Sequence, residues 1–139
     1  MNEPDAIDKS EDDNGWREIA HASPGHFALC ASGHRLKYSQ FWREIDAALL
    51  RVALGEIRNL IINIPPQWGK SELVSRHFPA WYLGSYPAKK IILVSYESDY
   101  AASWGMRARE LYKEYAPGLW GHRLGLMATS DWWETDAGG

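Results

Sequence analysis

Residues 57–71, Ile57-Arg58-Asn59-Leu60-Ile61-Ile62-Asn63-Ile64-Pro65-Pro66-Gln67-Trp68-Gly69-Lys70-Ser71, constrain the fold more than any other part of the chain. A β-branched apolar run reads as a strand over 57–64. Pro65 and Pro66 stiffen the turn that follows, and a helix-compatible stretch begins at Ser71. Strand, loop and helix in that order are the setting of a phosphate-binding loop. In such a loop the backbone N–H groups and the helix N-terminus face phosphate oxygens, Lys70 reaches the β- and γ-phosphates, and the Ser71 hydroxyl ligates Mg²⁺. Gly69 lets the backbone approach phosphate with no Cβ in the way. The candidate site is therefore Pro65, Pro66, Gln67, Trp68, Gly69, Lys70 and Ser71, with Lys70 as the catalytic cation, Ser71 as the metal ligand, and ATP and Mg²⁺ as expected cofactors. The pattern G-x-x-x-x-G-K-[ST] would place glycine where Ile64 stands. An ordinary strand-to-helix turn with an exposed lysine is the plain alternative, and the flanking strand and helix signals weigh against it.

The rest of the chain alternates the same two signals. Phe41, Trp42, Ile45, Leu49, Val52 and Ala53 recur at spacings of three and four, which predicts a helix over 39–54 that Gly55 ends. A short helix is expected over 16–21, broken by Ser23-Pro24-Gly25, and another over 72–82 before the turn Gly84-Ser85-Tyr86-Pro87. Ile91-Ile92-Leu93-Val94, preceded by Lys89 and Lys90, has the continuous apolar pattern of a buried parallel strand. A helix over 99–115 closes at Pro117-Gly118, and short strands are expected over 126–129 and 132–135. Strand, helix, strand, helix implies a βαβ unit. The fold expectation is α/β: a parallel P-loop ATPase sheet of the RecA-like (ASCE) type, flanked by helices. A finished sheet of that kind has more strands than these, so the sheet is expected to be incomplete at the C-terminal end.

Three regions follow: an acidic leader over 1–15 expected to be disordered, a helical segment over 16–55, and the first part of a nucleotide-binding domain over 56–139. The leader holds six acidic residues against Lys9, a charge of −5 within a total of −3, so the remainder carries +2. So small an excess neither requires nor excludes a nucleic-acid partner. Cys30 is the single cysteine, so no internal disulfide forms. No apolar run approaches a membrane span, and a cytoplasmic location is expected.

A hydrolytic loop also needs an acid at the end of a second apolar strand, to hold Mg²⁺ through water and polarise the attacking water. After Ile91-Ile92-Leu93-Val94 that position is Ser95; Glu97 and Asp131 are the remaining candidates, each against the plainer reading of a solvated loop acid. His26, Cys30 and His34 have the i, i+4, i+8 spacing of metal ligands on one helix face, but Gly25 and Gly33 argue against a helix that long. Tyr38 and Gln40 precede the long helix and have the chemistry to stack on and hydrogen-bond an adenine; helix-start residues are the plainer reading.

With these segments laid out, the chain from about Phe41 onward resembles the large subunit of the tailed-phage terminase, the motor that packs DNA into capsids. The run 58–71 is similar to that family's variant phosphate loop, in which two prolines replace the usual start; this accounts for Ile64. Phe78-Pro79-Ala80-Trp81-Tyr82-Leu83-Gly84 resembles a shared helix end, and Ile91-Ile92-Leu93-Val94-Ser95-Tyr96 resembles the family's second strand with its Ser-Tyr ending. Trp133-Glu134-Thr135 and Gly138-Gly139 look like the approach to its next hairpin. The family often has arginine at the position of Gln67 and histidine at that of Trp68, so the charge-stabilising role of that arginine is left to another group. The resemblance implies ATP-driven translocation of double-stranded DNA into a capsid. It also implies a downstream nuclease domain of the RNase H type, a portal protein and a terminase small subunit as partners, a homo-oligomeric ring, and a site of action in the bacterial host cytoplasm. It makes this chain an N-terminal piece of such a motor, inactive alone. A helicase-type P-loop ATPase and a non-catalytic nucleotide-binding module are the competing classes.

Overall fold

The computed structural model describes residues 9–33, 35–129 and 131–139. Five α-helices, a π-helical turn and one hairpin follow in order: α1 Lys9–Ala22, α2 Pro24–Ala31, α3 Gln40–Ala53, the π-turn Glu72–His77, α4 Phe78–Ser85, α5 Ser98–Leu119, β1 Leu124–Ala128 and β2 Trp133–Thr135. Two helix starts follow capping chemistry. Ser23 caps α2 by accepting the His26 N–H, with Pro24 at the first helical position, and Ser39 caps α3 by accepting from the Trp42 N–H. α3 buries Trp42, Ile45 and Leu49 of the stripe its periodicity predicts, together with Asp46, which that stripe did not include, while Phe41 is exposed; Leu54 caps its end just before Gly55. α1 begins at Lys9, inside the stretch expected to be a disordered leader, and residues 1–8 lie outside the described residues.

The expected parallel sheet is not what forms. Among the described residues the only sheet is the two-stranded antiparallel pair β1–β2, and more than half of the chain is helical. The runs 57–64 and 91–94, read as strands, belong to no sheet. Their exposure still alternates: Ile61 is 84% exposed while Ile62 and Ile64 are half-buried, and Ile92 and Val94 are 88% and 82% exposed with the half-buried Leu93 between them. Both runs thus keep the period-two pattern of a strand, one face in and one face out. What they lack is a hydrogen-bonded neighbour, so the local pattern is legible and the sheet it implies is absent. The reading of 91–94 as a buried strand is overturned by the same exposures.

Two apolar clusters hold the helices together. Ala20, Phe27, Ala80, Trp81, Leu83, Leu111, Tyr112, Ala116 and Leu119 join α1, α2, α4 and α5. Ala28, Trp42, Ile45, Leu49 and Leu73, with Ile62, Ile64 and Val74 against them, seat the 57–64 run and the start of the following helix on α3. Several of the eight tryptophans are core residues, Trp42, Trp81 and Trp104 among them.

The helix that follows the loop is continuous from Lys70 to Ser85 but changes its hydrogen-bond register over 72–77. There the Phe78 N–H donates to the Leu73 carbonyl, five residues back. Pro79 supplies the reason. In an unbroken α-helix its ring would collide with the Ser75 carbonyl, which would also lose its donor. The wider turn before Pro79 relieves that collision.

Candidate functional site

α3 is the floor on which the 65–71 loop is built. The buried Trp42 indole donates its Nε1–H to the Trp68 carbonyl at 3.2 Å, and Trp68 sets its ring edge-to-face on Phe41, with centroids 4.8 Å apart and planes at 87°. The backbone turns through the left-handed region twice, at Gln67 (φ 67°) and Gly69 (φ 78°). At Gly69 this conformation favours glycine, and a Cβ there would also lie 3.0 Å from Cζ2 and 3.2 Å from Nε1 of Trp42. At Gln67 the same conformation stores about 1–2 kcal/mol, and strain of this kind gathers at functional loops.

Lys70 and Ser71 open the helix. The Ser71 side chain makes no capping hydrogen bond, and neither side chain has an ion-pair or hydrogen-bond partner among the described residues. The first-turn amides have no side-chain acceptor among the described residues, and the Leu73 N–H donates to the Gly69 backbone carbonyl at 3.1 Å. Lys70 and Ser71, with Leu60, Ile62, Val74 and Ser75, line a groove of about 250 Å³. Beside it Glu72 lies 3.0 Å from Arg76 and 3.7 Å from Arg107, whose guanidinium stacks over Trp104 at 4.8 Å. One carboxylate thus faces two guanidinium groups, a net positive cluster one residue beyond Ser71. His77, buried behind it, has its pKa lowered by burial, so it is neutral at pH 7. Its Nδ1 sits 2.7 Å from the Glu72 carbonyl oxygen, which only accepts, so Nδ1 carries the proton.

No family model, curated protein or solved structure matches the chain.

The remaining residues singled out from the sequence have other partners. The Tyr38 hydroxyl donates to the Asp46 carboxylate and its ring lies 5.1 Å from that of His26, so Tyr38 is engaged in a buried network instead of standing free for a base. Burial and the adjacent carboxylate hold its phenol protonated well above the usual range. Gln40 donates to Glu44 along the exposed face of α3. Asp46, 3% exposed, also accepts from Ser23 Oγ and the Gly25 N–H, each at 2.6 Å. The single Ser23 proton is committed to Asp46, so the 2.7 Å contact between Ser23 Oγ and His26 Nδ1 has the histidine as donor. This network ties the start of α2 to α3. α2 does carry both His26 and Cys30 despite Gly25, but it ends at Ala31, and His34 lies outside the described residues. Among the described residues no three His, Cys, Asp or Glu side chains gather to hold a metal. Ser95 is half-buried at the end of the 91–95 run, Glu97 is the exposed residue just before α5, and Asp131 is exposed in the turn between β1 and β2.

Sequence reasoning treated Phe41 and Trp42 only as members of a helical stripe, and it missed their second role as supports of the loop. The signal was present in part: an aromatic pair at the start of an amphipathic helix is more ring than one helix face needs. Glu72 and Arg76 are a local i, i+4 pair, but the Arg107 contact joins elements 35 residues apart and left no local signature.

Proposed function

We propose that the 65–71 loop binds the phosphates of ATP with Mg²⁺, and that the chain is the ATP-binding part of a DNA-packaging motor similar to the terminase large subunit. The observation that carries this reading is the pairing of Lys70 and Ser71, both without internal partners, at an uncapped helix start behind a left-handed Gly69. Unmatched first-turn amides and the positive end of the helix dipole favour an anion there, and Lys70 adds a full charge. Lys70 would hold phosphate oxygens, and Ser71 supplies the hydroxyl that suits Mg²⁺, whose bound form neutralises phosphate charge. The groove, about 250 Å³, is below the 300–1,000 Å³ range of pockets that enclose whole ligands, so it suits the phosphates with the nucleoside outside.

The polar groups of the groove are Lys70, Ser71 and Ser75, with no carboxylate among its lining residues. That lining favours holding nucleotide over polarising water, and it is the observation behind a second reading, a nucleotide-binding module without turnover. Double-stranded DNA, a portal protein, a small subunit and a ring of copies belong to the motor reading alone and rest on the resemblance.

Calorimetric titration with Mg-ATP tests the loop. Lys70 is exposed and unpartnered, so Lys70→Ala is expected to abolish binding with the melting temperature unchanged. Equal affinity in the two proteins would sink the assignment. Phosphate release is expected at background rate; robust release that depends on Lys70 and is lost in Glu97→Gln or Asp131→Asn would place the catalytic acid within this chain.

A further inference from the structure

The Trp42 contact settles more than packing. The peptide between Trp68 and Gly69 is trans and planar, so its C=O and N–H point in opposite directions. Its carbonyl is turned toward α3 by the Trp42 Nε1–H at 3.2 Å. The Gly69 N–H then points away from the Trp42 N–H, and it has no hydrogen-bond partner among the described residues. The rest of the indole packs close beside Gly69, where a Cβ would meet Cζ2 at 3.0 Å. Phe41 holds the other end of the same peptide through the Trp68 ring.

We infer that Trp42 is a positioning residue: its indole N–H orients the 68–69 peptide so that the Gly69 N–H becomes one of the phosphate-facing donors. This rests on the phosphate-binding reading of the loop. It gives α3, which precedes the loop by more than ten residues, a direct hold on ligand geometry. The chemistry recognised is the phosphate end alone, so the effect is the same for any polyphosphate and indifferent to the base.

Two measurements test it. The first needs no ligand: in folded wild-type protein, NMR should show a scalar coupling across the hydrogen bond from Trp42 Nε1–H to the Trp68 carbonyl carbon, with slow exchange of that indole proton. A missing coupling with a fast-exchanging proton would overturn the inference. The second compares wild type with Trp42→Phe, which keeps a ring beneath Gly69 and removes the N–H. Affinity for inorganic tripolyphosphate and for Mg-ATP should fall by the same factor, roughly tenfold for one hydrogen bond in the binding geometry. The Gly69 amide resonance should shift in the same variant. A purely structural role would lower the melting temperature and leave tripolyphosphate affinity intact at a temperature where both proteins are folded, and that result also overturns the inference. If Trp42→Phe does not fold, the wild-type Gly69 amide resonance decides: it should move on titration with tripolyphosphate, and a resonance unmoved while tripolyphosphate binds overturns the inference. Coupling present with no tripolyphosphate binding by wild type would bring down the phosphate-binding reading and leave the peptide orientation standing, so the two failures are told apart.

Discussion

Gly69→Ala, set beside Gly55→Ala, separates backbone strain from contact with α3. Both glycines have φ 78°, so both alanines incur the left-handed penalty, about 1–2 kcal/mol. Both also lose the same unfolded-chain entropy, which returns up to about 1 kcal/mol and cancels in the comparison. The difference lies in what the new methyl meets. At Gly55 nothing stands within 4 Å, whereas at Gly69 the methyl lies 3.0 Å and 3.2 Å from two atoms of the Trp42 indole. That indole is 5% exposed and locked between Ile45, Leu49 and Leu73, so it has little room to yield. Overpacking of this kind costs about 1–3 kcal/mol. Pushing the ring away would also forfeit its hydrogen bond to Trp68, worth about 0.5–1.5 kcal/mol. Gly69→Ala should therefore cost about 2–4 kcal/mol more than Gly55→Ala. Urea unfolding followed by circular dichroism reads this as a midpoint roughly 1–2 M lower for Gly69→Ala, at slopes near 2 kcal/mol/M. Equal midpoints for the two variants would refute the packing of the loop on Trp42.

Three further outcomes are expected. Asp46→Ala leaves the Ser23 and Tyr38 hydroxyls and the Gly25 N–H without their buried acceptor and should cost about 3–5 kcal/mol in urea unfolding, with Asp46→Asn recovering part of it. Tyr112 is fully buried with an unpartnered hydroxyl, and burial together with nearby Asp136 pushes its pKa up to about 12. A folded pKa above the unfolded one near 10 means stability is full below pH 10 and falls as pH rises toward 12; Tyr112→Phe should flatten that fall and leave neutral-pH stability equal or higher. Ile92→Lys, on the exposed side of an unpaired extended run, should reduce aggregation measured by light scattering and change stability by less than about 0.5 kcal/mol; unchanged scattering would show that this edge is not the sticky one.

The helices were legible only in part: α2 escaped because Ser23-Pro24-Gly25 reads as a break where Ser23 and Pro24 cap and start a helix, and α5 runs through Pro117, where the sequence suggests an end. Ser39, the 41–53 stripe and Gly55 mark both ends of α3, and Trp132 to Thr135 marks the second strand of the hairpin. The absence of a parallel sheet was not legible, because the alternation in 57–64 and 91–94 describes one chain's two faces and says nothing of whether a neighbour lies alongside. The π-turn escaped notice because its cause, Pro79, reads locally as a helix breaker, and the chain responds by widening a turn instead of ending the helix. In the candidate site, Gly69, Lys70 and Ser71 announce themselves in sequence. Tyr38 is ambiguous in sequence, since an aromatic residue before a helix looks the same whether its hydroxyl meets solvent or a buried carboxylate 8 residues on.

The widened turn also sets which sequence changes the chain tolerates together. Glu72–His77 amounts to an α-turn carrying one residue too many, retained because Pro79 forbids the tighter path. Deleting one residue from 72–77 would draw the helix into α register and drive the proline ring into a carbonyl. Replacing Pro79 alone would leave a surplus residue with nothing to require it. Made together, the two changes restore an unbroken helix between Lys70 and the Ala80–Trp81 core contact. Each is harmful alone and acceptable with the other, so a lineage in which Pro79 has been lost is the one in which this segment is free to shorten by one residue.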